Sequence, residues 1–349
     1  MPITLTALSD LAKLPFDDLI DVRSPAEYAE DHVPGAISLP VLSDEERARV
    51  GTIYVQQDRF LARKIGAALV SRNAAAHLEG ALADKPGAWR PLVYCWRGGQ
   101  RSRSFASILK EIGWRTDTIE GGYKAYRKLV VEALYETPVT ARVMLVGGGT
   151  GTAKTRILRH IAQAGGQVVD LEAMAEHRGS LFGPMGEFQP AQKMFECRLA
   201  GALAGLDPAR PVFVEAESSK IGDIVLPPSL WRAMVTAPRF EVTAPLAARA
   251  AHLVRSYPDM VSDAEKLDAV LSKLARYHGH ERVNAWRALA AAGDYAQMAA
   301  ELVNEHYDPK YSRLLREGAP TPSTLDLPDL EDATLAEAAA RMVGDAEDL

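Results

Sequence analysis

Along the first 120 residues, short apolar runs alternate with amphipathic stretches. Leu19 to Val22, Ala36 to Leu39, Pro91 to Tyr94 and Thr116 to Ile119 read as strands. Pro25 to His32 and Ser104 to Ile112 read as helices, and a long polar, helix-patterned insertion runs from Ser43 to Arg72. Ser24-Pro25-x-Glu27 supplies the residues that open a helix at Ncap, N1 and N3, and His32-Val33-Pro34-Gly35-Ala36 turns the chain back into a strand. The alternation predicts an α/β fold with a doubly wound sheet.

After a helical stretch at Lys124 to Tyr135 and the connection Glu136-Thr137-Pro138, the pattern restarts. Arg142 to Val146 is a predicted strand and Arg156 to Ala164 a helix, with further apolar strands at Gln167 to Asp170 and Pro211 to Glu215. From Pro245 onward the period is helical: Ala247 to Tyr257, Asp263 to Tyr277, Gly279 to Ala292 and Tyr295 to Tyr307. The acidic, Pro-containing stretch from Gly318 to Asp332 reads as a loosely packed tail. The expected division is therefore 1–135, 139–244, a helical region 245–324 packed on the second domain, and an acidic tail 325–349.

Composition changes this picture in two places. Two cysteines in 349 residues cannot form a disulfide framework, which points to a reducing compartment. No basic leader with a long apolar stretch opens the chain and no membrane-length apolar run occurs, so the expectation is a cytoplasmic protein with no membrane partner. The net charge of −6 is unevenly spread. Residues 325–349 carry eight acidic side chains and one Arg, which leaves 1–324 close to neutral. Between Arg90 and Lys128 nine basic residues meet three acidic ones, a patch suited to a polyanion or to a phosphorylated small molecule.

Two segments carry the chemistry. Tyr94-Cys95-Trp96-Arg97-Gly98-Gly99-Gln100-Arg101-Ser102 places Cys95 where a buried strand becomes a helix. Backbone amides at Gly98 and Gly99, the helix N-terminus, and Arg97, Arg101 and Arg103 favour thiolate over thiol and make an anion site. The plain alternative is a small core residue at the end of a strand. The second segment, Gly147-Gly148-Gly149-Thr150-Gly151-Thr152-Ala153-Lys154-Thr155, has Walker A spacing from Gly148 to Lys154-Thr155, with amides of Gly148, Gly149, Thr150 and Gly151 aimed at phosphates and Lys154 bridging them. Thr155, with the strand-end carboxylates Asp170 and Glu215, could hold Mg2+. Ala153 stands where the motif has Gly, which makes ATP hydrolysis less expected. A Gly-rich turn without a ligand, and carboxylates that merely cap, are the plain readings. Arg249, Arg255, Lys273, Arg276, His278 and Arg282 could line one surface or simply solvate helix faces.

Asp21-Val22-Arg23-Ser24-Pro25-Ala26-Glu27-Tyr28, His32-Val33-Pro34-Gly35-Ala36, the Cys95 loop and Gly121-Gly122-Tyr123 resemble, in order and spacing, a rhodanese domain. Followed by the Lys154 loop, this combination resembles the tRNA 2-selenouridine synthase family. The likeness extends through Leu42 to Arg47, Val50 to Gln57, Gly121-Gly122-Tyr123-Lys124-x-Tyr126-Arg127, Leu171-Glu172, His177 to Ser180, Glu215 to Gly222 and Tyr307-Asp308-Pro309-x-Tyr311.

The resemblance implies a transferase acting on tRNA that bears wobble 2-thiouridine. Geranyl diphosphate alkylates the sulfur, and selenium from selenophosphate then displaces the S-geranyl group. It implies no tightly bound cofactor. Cys95, Arg97 and Arg101 would be catalytic, with selenium passing either through a selenylsulfide on Cys95 or directly to the base. Gly149, Gly151, Lys154 and Thr155 would hold the diphosphate, and Arg115, Lys124, Arg127 and Arg178 would contact tRNA. Two rivals stay open on the residues alone. One is a phosphatase or sulfurtransferase fused to a nucleotide-binding domain, since Cys95 to Arg101 has the Cys-x5-Arg spacing of phosphatases. A non-catalytic RNA-binding regulator is the other.

Overall fold

The computed structural model describes residues 2–183, 185–186, 188–311 and 323–348, and the chain divides into two compact α/β units. The first comprises Met1–Thr137 with Pro190–Gly205, the second Pro138–Gln189 with Leu206–Leu349.

In the first unit β1 (Asp18–Asp21), β2 (Ile37–Ser38), β3 (Pro91–Tyr94) and β4 (Asp117–Thr118) form a parallel sheet in the order β2-β1-β3-β4. Every residue of β3 is buried, as a strand covered on both faces requires. Ile20, Val22 and Val93 pack with Phe105 and Leu109 of the helix Gln100–Ile112 to form the core. The expected start signal at Ser24 is present: the Ser24 N–H donates to Glu27 Oε2 at 3.1 Å, and the helix Pro25–Glu30 follows. The insertion expected as one helical stretch is two helices, Asp44–Gln56 and Arg59–Glu79, because Asp58 accepts the Leu61 N–H and starts the second.

The helix Gln192–Ala204 falls inside the expected 139–244 domain but packs in the first unit against the helix Gly122–Val131. Its buried face, with Phe195, Cys197 and Leu199, is apolar, and Glu196 on that face bonds Arg127 and Tyr135. Long-range packing of that kind leaves no mark in local periodicity.

In the second unit β5 (Val143–Gly148), β6 (Gln167–Val169), β7 (Val212–Glu215), β10 (Arg239–Thr243) and β11 (Ser323–Asp326) form a parallel sheet in the order β11-β10-β5-β7-β6. A small antiparallel ribbon pairs β8 (Lys220–Ile221) with β9 (Ile224–Val225). β5 is central, and the phosphate loop leaves its C-terminal end for the helix Lys154–Gln163. The helices beyond Pro245 are Leu246–Ser256, Pro258–Val261, Ala264–Ser272, Ala275–Ala291 and Tyr295–Leu302. The predicted break at Gly279 is present: its φ of 77° and ψ of 165° are not helical, so Ala275–Ala291 is two helical segments that meet at a kink there.

The expected acidic tail is a correction. β11 is an edge strand paired with β10, and Asp332–Glu347 is a helix packed on Lys154–Gln163. Leu325, Leu330, Leu335, Ala338, Ala339, Met342 and Ala346 are buried in the core of this unit. Their i, i+3, i+4 spacing from Leu335 is an amphipathic stripe that the high acidic content obscures. Arg156 fixes the segment by bonding the Leu330 carbonyl at 2.8 Å and Asp332 at 2.6 Å. The rest of the stretch expected to be loose, Gly318 to Pro322, lies outside the described residues.

Candidate functional site

Cys95 follows β3, and the helix Gln100–Ile112 begins shortly after with Gly99 at its Ncap. The Gly99 N–H donates to Cys95 Sγ at 3.2 Å, and Ser102 Oγ lies 3.1 Å from it. The sulfur therefore sits in the positive field of a helix N-terminus, beside the Ncap amide of Gly99 and the Ser102 hydroxyl in the first turn. Arg97 and Arg103, which flank this loop, are both exposed. Arg101 is only partly exposed and bonds Glu27 Oε2 at 2.7 Å. Burial works against the Glu27 carboxylate, but the hydrogen bond and charge of Arg101 hold it below its ordinary range.

A second turn fixes the cysteine loop. The N–H groups of Tyr123 and Lys124 donate to the carbonyls of Cys95 and Trp96 at 2.8 and 2.9 Å. Gly122, with φ +59°, makes this possible: a Cβ there would stand 2.1 Å from the Cys95 carbonyl oxygen and 2.4 Å from the Gly98 nitrogen. Beneath the loop, Arg23 is fully buried and its guanidinium binds Asp21 at 2.7–3.1 Å. It lies 4.1 Å from the Tyr123 ring centroid, and the Tyr123 hydroxyl donates to Asp31. The Asp-Val-Arg and Gly-Gly-Tyr motifs thus form one buried support for Cys95. Cys197, in contrast, is enclosed with Tyr123 and Arg127, and burial pushes its thiol up.

Lys124 is exposed, as is Arg115. Arg127 is not a surface cation: it pairs with the buried Glu196. Nor is the Arg90 to Lys128 charge wholly available, since Arg90 pairs with Asp17 at 2.8 Å and Lys110 with Asp117 at 3.1 Å.

In the second unit the loop after β5 surrounds a pocket of about 1150 Å3. Its lining includes Thr150, Gly151, Lys154 and Thr155, but not Gly148 or Gly149. Gly148 corrects the expectation that its amide faces phosphate: its N–H donates to the Tyr311 hydroxyl at 2.6 Å, and its carbonyl accepts from Lys154 Nζ at 2.9 Å. Arg249 braces the loop from behind, donating to the Thr150 carbonyl at 2.7 and 2.9 Å and to Asp308 at 2.6 and 2.9 Å. Arg249 is thus no part of a solvated basic stripe, and Arg282 is engaged by Glu301 and Glu305. Ala153 adopts the left-handed conformation, φ 62° and ψ 29°, which an L residue enters at a cost of roughly 1–2 kcal/mol. Its side chain is buried in the apolar core with Val146 and Ile157, so the Ala-for-Gly departure is absorbed by packing.

The carboxylates differ from expectation. Asp170 Oδ1 accepts the Ala173 N–H at 2.8 Å and caps the helix Leu171–Ala175. Glu215 is fully buried, accepts the Leu171 N–H at 2.9 Å, and is held far above the ordinary range by desolvation and by the charges of Asp170 and Glu172. Neither lines the pocket. Glu172 and Glu217 do, and Thr155 Oγ1 donates to Glu172 Oε2 at 3.1 Å. Burial, then the neighbouring Glu217 charge, pushes Glu172 up to about 7. Among the described residues no group of three or more His, Cys, Asp or Glu side chains forms a metal-binding cluster.

Arg178, expected on a tRNA surface, lines the phosphate pocket instead. Its Nη2 bonds Asp259 at 3.0 Å, its guanidinium lies 4.5 Å from the Tyr257 ring centroid, and its buried Nη1 has no partner among the described residues. His252, also in the lining, stays neutral: desolvation, then the charge of Arg156, lowers it to about 4.

A family model for the tRNA 2-selenouridine synthase AAA domain matches residues 141–322, and a rhodanese-like domain model matches 4–129. The chain belongs to the tRNA 2-selenouridine synthase family. A family member from Nitrosomonas europaea is 35% identical over 279 residues, spanning 77% of this chain and 71% of the relative. One from Aeromonas salmonicida is 37% identical over 262 residues, spanning 74% and 68%. One from Bordetella bronchiseptica is 35% identical over 324 residues, spanning 84% and 87%. Among the described residues no helix is long and apolar enough to cross a membrane. Within the family frame, Tyr311, Asp308, Glu172 and Glu217 are site residues that Walker A spacing alone does not reveal. Their signal is the Tyr-Asp-Pro-x-Tyr and Leu-Glu motifs and the Glu215 to Gly222 segment, which lie away from the loop in sequence.

Proposed function

We propose that this chain exchanges sulfur for selenium at the wobble 2-thiouridine of tRNA, using geranyl diphosphate and selenophosphate. The observation that carries this reading is the presence, on one chain, of two anion-binding loops with different chemistry. One offers a cysteine sulfur at a helix N-terminus, the other a lysine, a threonine and backbone amides.

In the first step the thiocarbonyl sulfur attacks C1 of geranyl diphosphate, the C–O bond breaks, diphosphate leaves with the shared electron pair, and the alkylated base gives up its N3 proton to water. Lys154, Thr155, the Thr150–Gly151 backbone and Arg178 Nη1, which has no partner among the described residues, offset the growing charge on that leaving group. Phosphate loops commonly work with Mg2+, and Thr155 with Glu172 offers hard oxygen donors for it, whereas Asp170 and Glu215 are occupied elsewhere. Bound there with the diphosphate, the ion would supply neutralisation of leaving-group charge. In the second step a selenium nucleophile adds at C2 of the base and the C2–S bond breaks. Geranylthiol departs, and cleavage of the P–Se bond by water releases phosphate. Alkylation makes the sulfur a better leaving group than the unmodified atom. The Cys95 loop holds selenophosphate, and the accessible Arg97, Arg103, Arg115 and Lys124 contact the tRNA backbone.

Nucleoside analysis of tRNA tests the two-loop division. Lys154→Ala is expected to lose geranylation yet to selenate S-geranyl tRNA supplied ready-made. Cys95→Ser is expected to geranylate but not selenate. Equal loss of both steps in either variant, with tRNA still bound, would contradict it.

A further inference from the structure

The helices that follow β10 line a second pocket, apolar and partly open to solvent, in the same unit as the phosphate pocket. Leu246–Ser256, Pro258–Val261, Ala264–Ser272 and Tyr295–Leu302 all contribute to its wall. Its mostly apolar wall with a few polar groups at one end is the make-up of a small-molecule site.

Its polarity is graded. Thr150, Ser180, Leu253, Tyr257 and Tyr307 line both this cavity and the phosphate pocket, so the two volumes share one rim, and Thr150 belongs to the phosphate loop itself. Away from that rim the wall is Phe182, Val254, Met260, Leu267, Met298 and Leu302. The one hydroxyl on that side among the lining residues, Tyr295 Oη, is turned to the Val261 carbonyl at 3.3 Å. A nucleoside has base edges and ribose hydroxyls that would lose their water partners against such a wall. A hydrocarbon loses nothing there.

We propose that this cavity is the subsite for the hydrocarbon tail of a prenyl diphosphate whose head lies on the phosphate loop. The inference rests on the reading of that loop as a diphosphate site and adds where the rest of the molecule goes. A ligand spanning the shared rim has its head-to-tail C–O bond at Thr150, Tyr257 and Tyr307. That is the bond that breaks on alkylation, and the tail is then held out of water while the carbon is attacked. The apolar wall beyond the rim limits tail length, and it explains why a loop with Walker A spacing sits beside a lining that suits no nucleotide base.

Binding is measured by calorimetry on the full chain with pyrophosphate, dimethylallyl diphosphate, geranyl diphosphate and ATP. Each methylene buried strengthens binding by at most roughly fourfold, about a thousandfold for the five extra carbons of a geranyl tail, and ordering the tail offsets part of this, so geranyl diphosphate is expected to bind at least about tenfold tighter than the half-length dimethylallyl compound, which in turn exceeds pyrophosphate. Ala299→Phe, which fills the cavity from the helix Tyr295–Leu302, is expected to erase the gain of geranyl diphosphate over pyrophosphate while pyrophosphate itself binds unchanged. Equal affinity of wild type for pyrophosphate and both prenyl compounds overturns the tail subsite and leaves the diphosphate reading standing. So does an undiminished geranyl gain in Ala299→Phe. Tight ATP binding with no binding of pyrophosphate or prenyl diphosphates overturns the diphosphate reading together with this one. The wild-type ladder needs no variant, so a poorly folded Ala299→Phe does not protect the proposal.

Discussion

The Tyr311 hydroxyl accepts the Gly148 N–H at 2.6 Å and donates to Glu241 Oε1 at 2.7 Å, which ties the end of β5 to β10 through a side chain distant in sequence. That hydroxyl gives a partner to the buried Gly148 N–H and to one oxygen of the buried Glu241 carboxylate. Tyr311→Phe leaves both without this partner, at about 1–3 kcal/mol for each buried group. The expected result is a lower melting temperature and weaker diphosphate binding, with cysteine-loop chemistry intact. A Tyr311→Phe protein as stable as the parent would show that the loop is held without this tie.

Glu172 gives a pH signature. Its folded value of about 7 lies above its ordinary 4.5, because burial and the Glu217 charge penalise the anion. The folded protein therefore binds this proton more tightly than the unfolded chain does. The stability it contributes is fully present below pH 4.5 and is lost as pH rises through 7. An added negative charge beside Lys154 also opposes an anionic ligand. Pyrophosphate affinity, measured without divalent cations, is expected to fall between about pH 6 and 8, roughly tenfold at most for one charge. Glu172→Gln should flatten that profile; an equally steep profile in the variant would assign the effect to another group.

Gly122 is where the cysteine loop is most vulnerable. Alanine there meets the Cys95 carbonyl at 2.1 Å and must hold φ near +59°, which alone costs roughly 1–2 kcal/mol. The variant is expected to selenate poorly with Cys95 still present, while its geranylation rate stays within about twofold of the parent. Parallel loss of geranylation in a folded protein would count against the separate-loop reading.

Much of this is legible in the sequence because buried parallel strands announce themselves. Pro91 to Tyr94 and Arg142 to Val146 are apolar runs followed by glycine-rich turns, and each leads straight into a loop that carries chemistry. What cannot be read depends on packing between distant segments. Nothing local says that Arg249 turns inward to Thr150 and Asp308, that Arg127 is neutralised by Glu196, or that Arg178 faces the phosphate pocket. Charged side chains look alike in sequence whether they solvate a helix or close an ion pair. Asp170 and Glu215 mislead for a related reason: strand-end carboxylates serve as caps as readily as ligands, and here both accept backbone N–H groups.

The pairing pattern also sorts the basic residues for tRNA binding. Charge reversal at exposed Arg115 and Lys124 is expected to weaken tRNA binding and to flatten its salt dependence by about one unit of slope for each phosphate no longer neutralised. Arg127→Glu acts differently, since it sets a second carboxylate against Glu196 within the first unit. It should lower the melting temperature. Filter binding across a salt series, beside thermal melts, distinguishes the two classes. Unchanged salt slopes for Arg115→Glu and Lys124→Glu would remove these residues from the interface.

Truncation before Leu325 decides whether the acidic C-terminal segment is an appendage. It removes half of edge strand β11 and the helix Asp332–Glu347, and with them Leu325, Leu330, Leu335 and Met342, each buried in the core of the second unit. At about 1.5–3 kcal/mol per side chain the loss is roughly 6–12 kcal/mol, comparable with the total stability of a domain at about 5–15 kcal/mol. The charge argument runs the other way: removing seven net negative charges should help an anionic partner bind. Packing outweighs it, because a repulsion screened beyond about 10 Å at roughly 0.1 M salt is small beside an exposed core. The truncated chain is therefore expected to lose cooperative unfolding of the second unit and all diphosphate binding, and to become sensitive to protease around Lys154–Gln163. A truncated protein that melts like the parent and binds pyrophosphate normally would return this segment to the status of a tail.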